Sequence, residues 1–301
     1  MSAGLAGMVI TFALQVVFMI HIYLNFYVRS AADLETQMIS VERVHEYSKI
    51  LVEEGSLSDD PTLASDWPKD GGIVFKELCT RYRPGLDLVL RNISCEIHPG
   101  EKIGIVGRTG SGKSSLVLSL LRIIEPTSGN ILIDRIDIKS LRLHQLRSRI
   151  TIISQDPVIF SGSIKNNLDP LQRYSDSQLW HALELAHLKD FLIVGWCLSI
   201  GQRQLVSLAR AILQRSRVLI LDEATSAVDV ETDELMQRTI RTQFKDCTVL
   251  TVAHRINTIL DCDRVMVIDQ GQLVEMDTPL SLMEDPSSHF YALAAGSGLL
   301  P

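Results

Sequence analysis

The run Gly107-Arg-Thr-Gly-Ser-Gly-Lys113-Ser114-Ser115 follows the strand-like Ile103–Val106 and precedes the helical pattern Leu116–Ile123. This spacing constrains the fold more than any other feature, because it demands a buried strand, a tight glycine loop and a helix that starts at that loop. The glycines let the backbone curl until its N–H groups converge on an anion, and the helix start adds its positive end. In that setting Gly107, Arg108, Thr109, Gly110, Ser111, Gly112, Lys113, Ser114 and Ser115 are candidate phosphate contacts. Lys113 can reach the β- and γ-phosphates of a nucleotide, and Ser114 can ligate Mg²⁺.

A second apolar run, Val218-Leu-Ile-Leu-Asp222-Glu223, ends in two carboxylates, as a buried strand does when it delivers acids to a phosphate site. Asp222 is suited to hold Mg²⁺ through water, and Glu223 to polarise an attacking water as general base. Between the two runs, Leu198, Ser199, Ile200, Gly201 and Gln202 open a helical segment ahead of Asp222. Ser199 is placed to cap that helix and present its N-terminus to an anion.

The chain has 301 residues, room for about two average domains. With 36 acidic residues against 29 Lys and Arg, its formal charge of -7 leaves no global basic field, which disfavours DNA or RNA as a partner. The five cysteines have neither Cys-x-x-Cys spacing nor a zinc-like His partner, so reduced, mostly buried thiols in a cytosolic compartment are expected.

Residues Gly4–Val28 are apolar except for Thr11, Gln15, His21 and Asn25, long enough for one bilayer crossing. These four fall on one helical stripe about 120° wide, which suits either hydrogen bonding inside a helix bundle or the lining of a substrate path. A signal peptide fits badly: no Lys or Arg precedes the run, and no small-residue cleavage site follows it. Arg29, Arg43 and Lys49 beyond its end place the following residues in the cytoplasm. Spaced apolar residues over 31–50 predict that the helix continues, and the acidic, Ser- and Pro-bearing Leu51–Asp70 reads as a solvated linker. The expected organisation is a transmembrane helix over 1–29, a cytoplasmic extension and acidic linker over 30–72, and an α/β domain over 73–301.

From Leu198 through the helical Arg203–Leu213, the sequence resembles the signature motif of the ATP-binding cassette family, with Ile200 at its middle position. Taken alone, Tyr82, Gln155 and His254 each suit a bland role: surface stacking, a turn, and a strand-end imidazole. The resemblance gives them others. It implies that Tyr82 stacks on adenine, that Gln155 is the Q-loop residue serving catalysis and Mg²⁺, that Asp229 belongs to the D-loop, and that His254 is the catalytic switch histidine. Val41–Tyr47, Arg81–Asp87, Gly107–Gly110, Ser161–Ser163, Asn167–Pro170 and Thr239–Phe244 make the chain similar, more narrowly, to the second nucleotide-binding domain of the multidrug resistance-associated proteins, subfamily C. The implied fold is an α/β P-loop NTPase of cassette type, with a mixed sheet core, an antiparallel β subdomain and a shortened helical subdomain, preceded by one transmembrane helix.

That resemblance further implies ATP and Mg²⁺ as cofactors, and ATP hydrolysis powering export of amphipathic organic anions or conjugates. Its implied partners are a lipid bilayer, N-terminal transmembrane domains and a first nucleotide-binding domain paired head to tail. The nucleotide-binding domain would be cytoplasmic and the plasma membrane the expected location. A nucleotide-gated channel or regulator of the same subfamily and an inert truncated product are the rival readings; a soluble DNA-repair ATPase is disfavoured by Gly4–Val28.

Two departures from the family stand out. Asp134-Arg135 replaces the usual Asp-Gly hairpin, and because Arg135 resists positive φ a different turn is expected. Phe191–Cys197 runs straight into the signature, a connection shorter than the family's by roughly a dozen residues. Either Asp176–Phe191 shifts to compensate or the signature helix loses its first turn, and coupling to transport is expected to be poor.

Overall fold

The computed structural model describes residues 3–50, 64, 66–189, 199–222, 230–253 and 256–296. The chain divides into two units, Met1–Ser56 and Leu57–Pro301.

Among its described residues the first unit holds one helix, α1 (Ala3–Ser48). Its 46 residues would span about 69 Å at 1.5 Å per residue, well beyond the hydrocarbon thickness of a bilayer. Among the described residues it is the one helix long and apolar enough to cross a membrane, judged by length and composition. Three members of its polar stripe find partners within the helix. Thr11 Oγ1 donates to Gly7 O at 2.9 Å, and Asn25 Nδ2 lies 2.9 Å from His21 Nε2. Such pairing lowers the cost of these groups in an apolar surround.

In the second unit, β1 (Ile73–Thr80) and β2 (Leu90–Ile97) form an antiparallel ribbon before β3 (Lys102–Val106), the phosphate loop and α2 (Lys113–Leu120). Next come β4 (Pro126–Ile133), β5 (Ile136–Asp137), α3 (Leu143–Arg147), β6 (Ile150–Ile153), α4 (Ile164–Leu168), α5 (Asp176–Leu185) and α6 (Ile200–Gln214). The remainder is β7 (Val218–Asp222), α7 (Val230–Gln243), β8 (Thr248–Val252), β9 (Arg264–Asp269), β10 (Gln272–Asp277), α8 (Pro279–Glu284) and α9 (His289–Gly296). One sheet has the order β2-β1-β4-β5 and is antiparallel; the other runs β10-β9-β3-β8-β7-β6, parallel except at β10. The central strands β3 and β7 read as near-continuous apolar runs because both faces are covered, while Thr248 and Thr251 interrupt the run in β8. A core including Ile103, Ile105, Leu116 and Leu120 joins β3 and α2 to the antiparallel sheet, and another packs Leu179, Leu183, Leu205 and Leu208 of α5 and α6 against Leu219 and Leu221.

Three expectations need correction. The stretch read as a solvated linker is docked at its end: Trp67 is 5% exposed, Pro68 is buried, and the indole Nε1 donates to Ile133 O at 3.3 Å. Composition over twenty residues hid a single large apolar anchor. Second, Arg135 does adopt positive φ, at 67°, after Asp134 at 46°. The Asp134 carboxylate accepts from the backbone N–H groups of Asp70, Gly71 and Gly72 at 2.8–3.0 Å, which holds the turn despite the strain of two non-glycine residues. Third, Cys79, Cys95, Cys247 and Cys262 are half-buried rather than buried. Even so, burial pushes the Cys95 and Cys262 thiols up to about 12.

Candidate functional site

The parallel register gathers the site. Ile105 of β3 pairs with Val252 of β8, Val252 pairs with Asp222 of β7, and Leu221 pairs with Ile153 of β6. Four neighbouring strands therefore end side by side, and their carboxyl ends share one edge: the phosphate loop after β3, Ala253 after β8, Asp222 at the tip of β7, and Ser154-Gln155 after β6. Ligands bind at this carboxyl edge in open α/β sheets.

The loop is fixed from behind and open in front. Gly107 has φ 153°, and a Cβ there would stand 2.1 Å from Ile268 O on β9, so only glycine permits this approach. At Gly110, φ is 80° and nothing lies within 4 Å of a built Cβ, which leaves a concave face free. Ser111 O accepts from Gly271 N at 2.8 Å, pinning the loop to the β9–β10 turn. Lys113 is 5% exposed, and its Nζ donates to Gly107 O at 2.8 Å and Arg108 O at 3.1 Å. The ammonium is thus curled into the cradle it would share with phosphates. Ser111 Oγ is buried without a hydrogen-bond partner among the described residues, an unusual state that an anion would relieve. Arg108, Thr109, Gly110 and Ser114 are exposed around this cradle, while Gly112 and Ser115 are buried. A phosphate chain fits these residues.

Tyr82 lies in the β1–β2 connection with its ring half exposed, and its hydroxyl is 2.8 Å from Ser115 Oγ. An aromatic face is therefore tethered to the helix that begins at the phosphate loop. Gln155 is exposed beyond β6, and Asp222 is partly exposed. Among the described residues no three His, Cys, Asp or Glu side chains gather to hold a metal by themselves. A site that keeps substrate oxygens and waters, as Mg²⁺ prefers, needs no such cluster: Ser114, Gln155 and Asp222 are compatible donors.

Ser199 is the N-cap of α6, accepting from Gln202 N while Gln202 Oε1 accepts from Ser199 N at 3.0 Å, a complete capping box. The first turn of the signature helix is intact, so that branch of the expectation for the short connection does not occur. Ile200 is exposed and Gly201 is buried. Leu198, Glu223, Asp229, His254 and the connection over 190–198 lie outside the described residues.

Sequence reasoning missed the residues that bind the signature helix to the Q-loop. Gln204 Nε2 donates to Ser154 O at 3.0 Å and Gln155 O at 2.6 Å. Two turns on, Arg210 donates to Val158 O at 2.9 Å and Asn167 O at 2.8 Å, while Asn167 Nδ2 donates to Phe160 O at 2.9 Å. The available signal was a polar residue on an apolar stripe, since Gln204 shares the buried face with Gly201, Leu205 and Leu208.

Residues 90–226 match the family described as ABC transporter. The chain is 49% identical to ATP-binding cassette sub-family C member 3 of Rattus norvegicus, over 99% of this chain and 20% of that protein. It is 51% identical to Multidrug resistance protein mrp-7 of Caenorhabditis elegans, over 98% of this chain and 20% of that protein. It is 47% identical to Metal resistance protein YCF1 of Saccharomyces cerevisiae, over 100% and 20%. The chain thus spans about one fifth of the length of these curated relatives. The rat alignment extends over 311 positions against 301 residues here, so the relative holds residues without a counterpart in this chain. A bacterial Atm1-family ABC exporter with ATP bound is structurally similar at TM-score 0.79 and 27% identity, over 88% of this chain and 48% of that one. With the loop, sheet edge and capped signature helix in the arrangement described, the chain belongs to the ATP-binding cassette family, in the C-terminal nucleotide-binding part of subfamily C.

Proposed function

We propose that this chain is the ATP-hydrolysing part of a larger exporter for amphipathic organic anions or conjugates. The observation that carries the reading is the carboxyl edge, where the phosphate loop, Asp222 and Gln155 sit at the ends of three strands of one parallel sheet. Lys113 would leave the Gly107 and Arg108 carbonyls for the β- and γ-phosphates, and Tyr82 would stack on the adenine. Ser114, Gln155 and Asp222 would hold Mg²⁺, which supplies charge neutralisation on the phosphate oxygens. Glu223 would take a proton from the attacking water, with His254 contacting the γ-phosphate. Ser199 to Gln202, together with Leu198 and Asp229, would face nucleotide held by a partner domain, so a single copy is half of the machine. The organisation that fits is a membrane helix over 1–29, an extension over 30–72 and a cytoplasmic domain over 73–301.

Two measurements test this. Lys113→Ala should lose most of the affinity for Mg-ATP in a titration of the full chain, and affinity equal to wild type sinks the assignment. In an assembly with the N-terminal domains of a subfamily C exporter, Glu223→Gln should lower ATP turnover by a factor on the order of 10² while binding persists. Nucleotide-dependent currents without transport would instead favour the channel reading.

A further inference from the structure

We infer that Gln204 is the positioning residue that locks the Q-loop, and with it Gln155, to the signature helix. The inference deepens the proposed ATPase reading and rests on it for the role of Gln155. Gln204 is fully buried on α6, five residues past the cap Ser199. Both hydrogens of its amide are committed, one to Ser154 O at 3.0 Å and one to Gln155 O at 2.6 Å. Only the nitrogen end can face two carbonyls, which fixes the amide's orientation. The oxygen end, Oε1, is buried without a partner among the described residues. The amide is therefore held through its donor side, by the Q-loop alone.

Successive carbonyls of an extended strand point to opposite sides. Residues 154 and 155 turn theirs toward one nitrogen, so the chain bends directly after β6 ends at Ile153. That bend decides where the Gln155 side chain leaves the backbone. Replacing the amide by an apolar group of equal length would leave two carbonyls facing a partnerless interior and allow the loop to extend. Arg210 restrains the far end of the same loop through Val158 and Asn167, but nothing in its contacts fixes the bend at 154–155. Gln204 thus sits on the signature helix and holds both carbonyls of the Q-loop's first turn.

Gln204→Met keeps the length and removes both donors. In the full chain without nucleotide, amide hydrogen exchange over 154–160 should rise about tenfold, with exchange in α2 and β7 and the melting profile of the domain little changed. Equal exchange over 154–160 overturns the inference; a general rise throughout the domain overturns it as well, because Gln204 would then be only a core residue. In the assembled exporter, Gln204→Met should lower kcat about tenfold at unchanged KM, and adding it to Gln155→Ala should cost nothing further. Additive losses overturn a role exercised through Gln155. If the wild-type chain fails to bind Mg-ATP, the ATPase reading falls, while the exchange comparison still decides whether Gln204 holds the loop.

Discussion

The two edges of the six-stranded sheet treat their polar groups in opposite ways. At the amino edge Arg264 pairs with Glu101 and also donates to Glu96 O at 2.8 Å. Lys102 Nζ is shared among the carbonyls of Gly100, Lys245 and Cys247, and Thr248 Oγ1 donates to Gly71 O at 2.7 Å. These groups satisfy one another. At the carboxyl edge Ser111 Oγ and Gln204 Oε1 are buried without partners among the described residues, and Lys113 rests on the loop it would leave for a ligand. One edge satisfies its polar groups among themselves and the other leaves some of them buried and unpartnered among the described residues, which is where a fold is expected to break its own rules of satisfaction.

The largest effect that would break this contrast is predicted at Gly107. A Cβ there meets Ile268 O at 2.1 Å and Ser111 Oγ at 2.6 Å, and the first of these is backbone that cannot readily yield. Gly107→Ala should cost about 3 kcal/mol or more and abolish Mg-ATP binding, read by melting temperature and nucleotide titration. If the variant melts and binds as wild type does, the carboxyl edge is not built around that close approach. Gly110→Ala, with open space at its Cβ, should cost less, in line with a positive φ alone.

At the amino edge the effect is smaller and depends on pH. Burial raises the Glu101 carboxyl, but the hydrogen bonds from Arg264 and from His98 N outweigh it, leaving the group below the usual carboxylate range. A folded-state value below the unfolded one means that the pair's stabilisation is fully present above the unfolded value and is lost as pH falls through the folded one. Glu101→Gln should therefore cost about 2 kcal/mol near neutral pH, and the difference from wild type should shrink in acid. Melting curves from about pH 7 to about pH 3 provide the measurement, and a difference that stays constant with pH refutes an ionic contribution. Nucleotide affinity should not change, because the pair lies at the opposite end of β3.

How much of this was legible in the sequence divides along the same line. Strand, glycine loop and helix over Ile103–Ile123 were readable because local chemistry admits little else: a buried apolar run, glycines at positive φ and a lysine at fixed spacing. The carboxyl-terminal acid of β7 was readable for the same reason. What escaped was long-range. Gln204 meets partners 49 and 50 residues away, and Trp67 donates to Ile133, 66 residues on. Neither pairing leaves a periodic mark. Arg135 misled for a different reason: the backbone preference was read correctly, but the compensating carboxylate of Asp134 reaches back to residues 70–72. The amino-edge pairs were invisible too, since Glu101 and Arg264 are separated by 163 residues and each alone resembles an ordinary surface charge.

The smallest predicted effect sharpens the contrast at the start of the signature helix, which differs from the phosphate loop although both would meet nucleotide. The loop is pinned by backbone from β9 and the β9–β10 turn. Ser199 is exposed, and its capping bonds reach only as far as Gln202 in its own helix. Local capping of this kind is worth about 1 kcal/mol, whereas removing it does not disturb a core. Ser199→Ala should therefore lower the melting temperature by only about 2–4 °C for a domain of this size. Its exchange signature should be confined to residues 200–203, because Gln204 anchors the next turn to the Q-loop. Intrinsic Mg-ATP affinity at Lys113 should be unchanged, while hydrolysis in the paired assembly should fall, since the hydroxyl and the first N–H groups of α6 would be offered to the partner's nucleotide. Ser199→Ala that frays α6 beyond residue 204, or that weakens binding at Lys113 as strongly as Gly107→Ala, would show that the two loops are one rigid body and that the distinction between a pinned loop and a locally capped one is wrong.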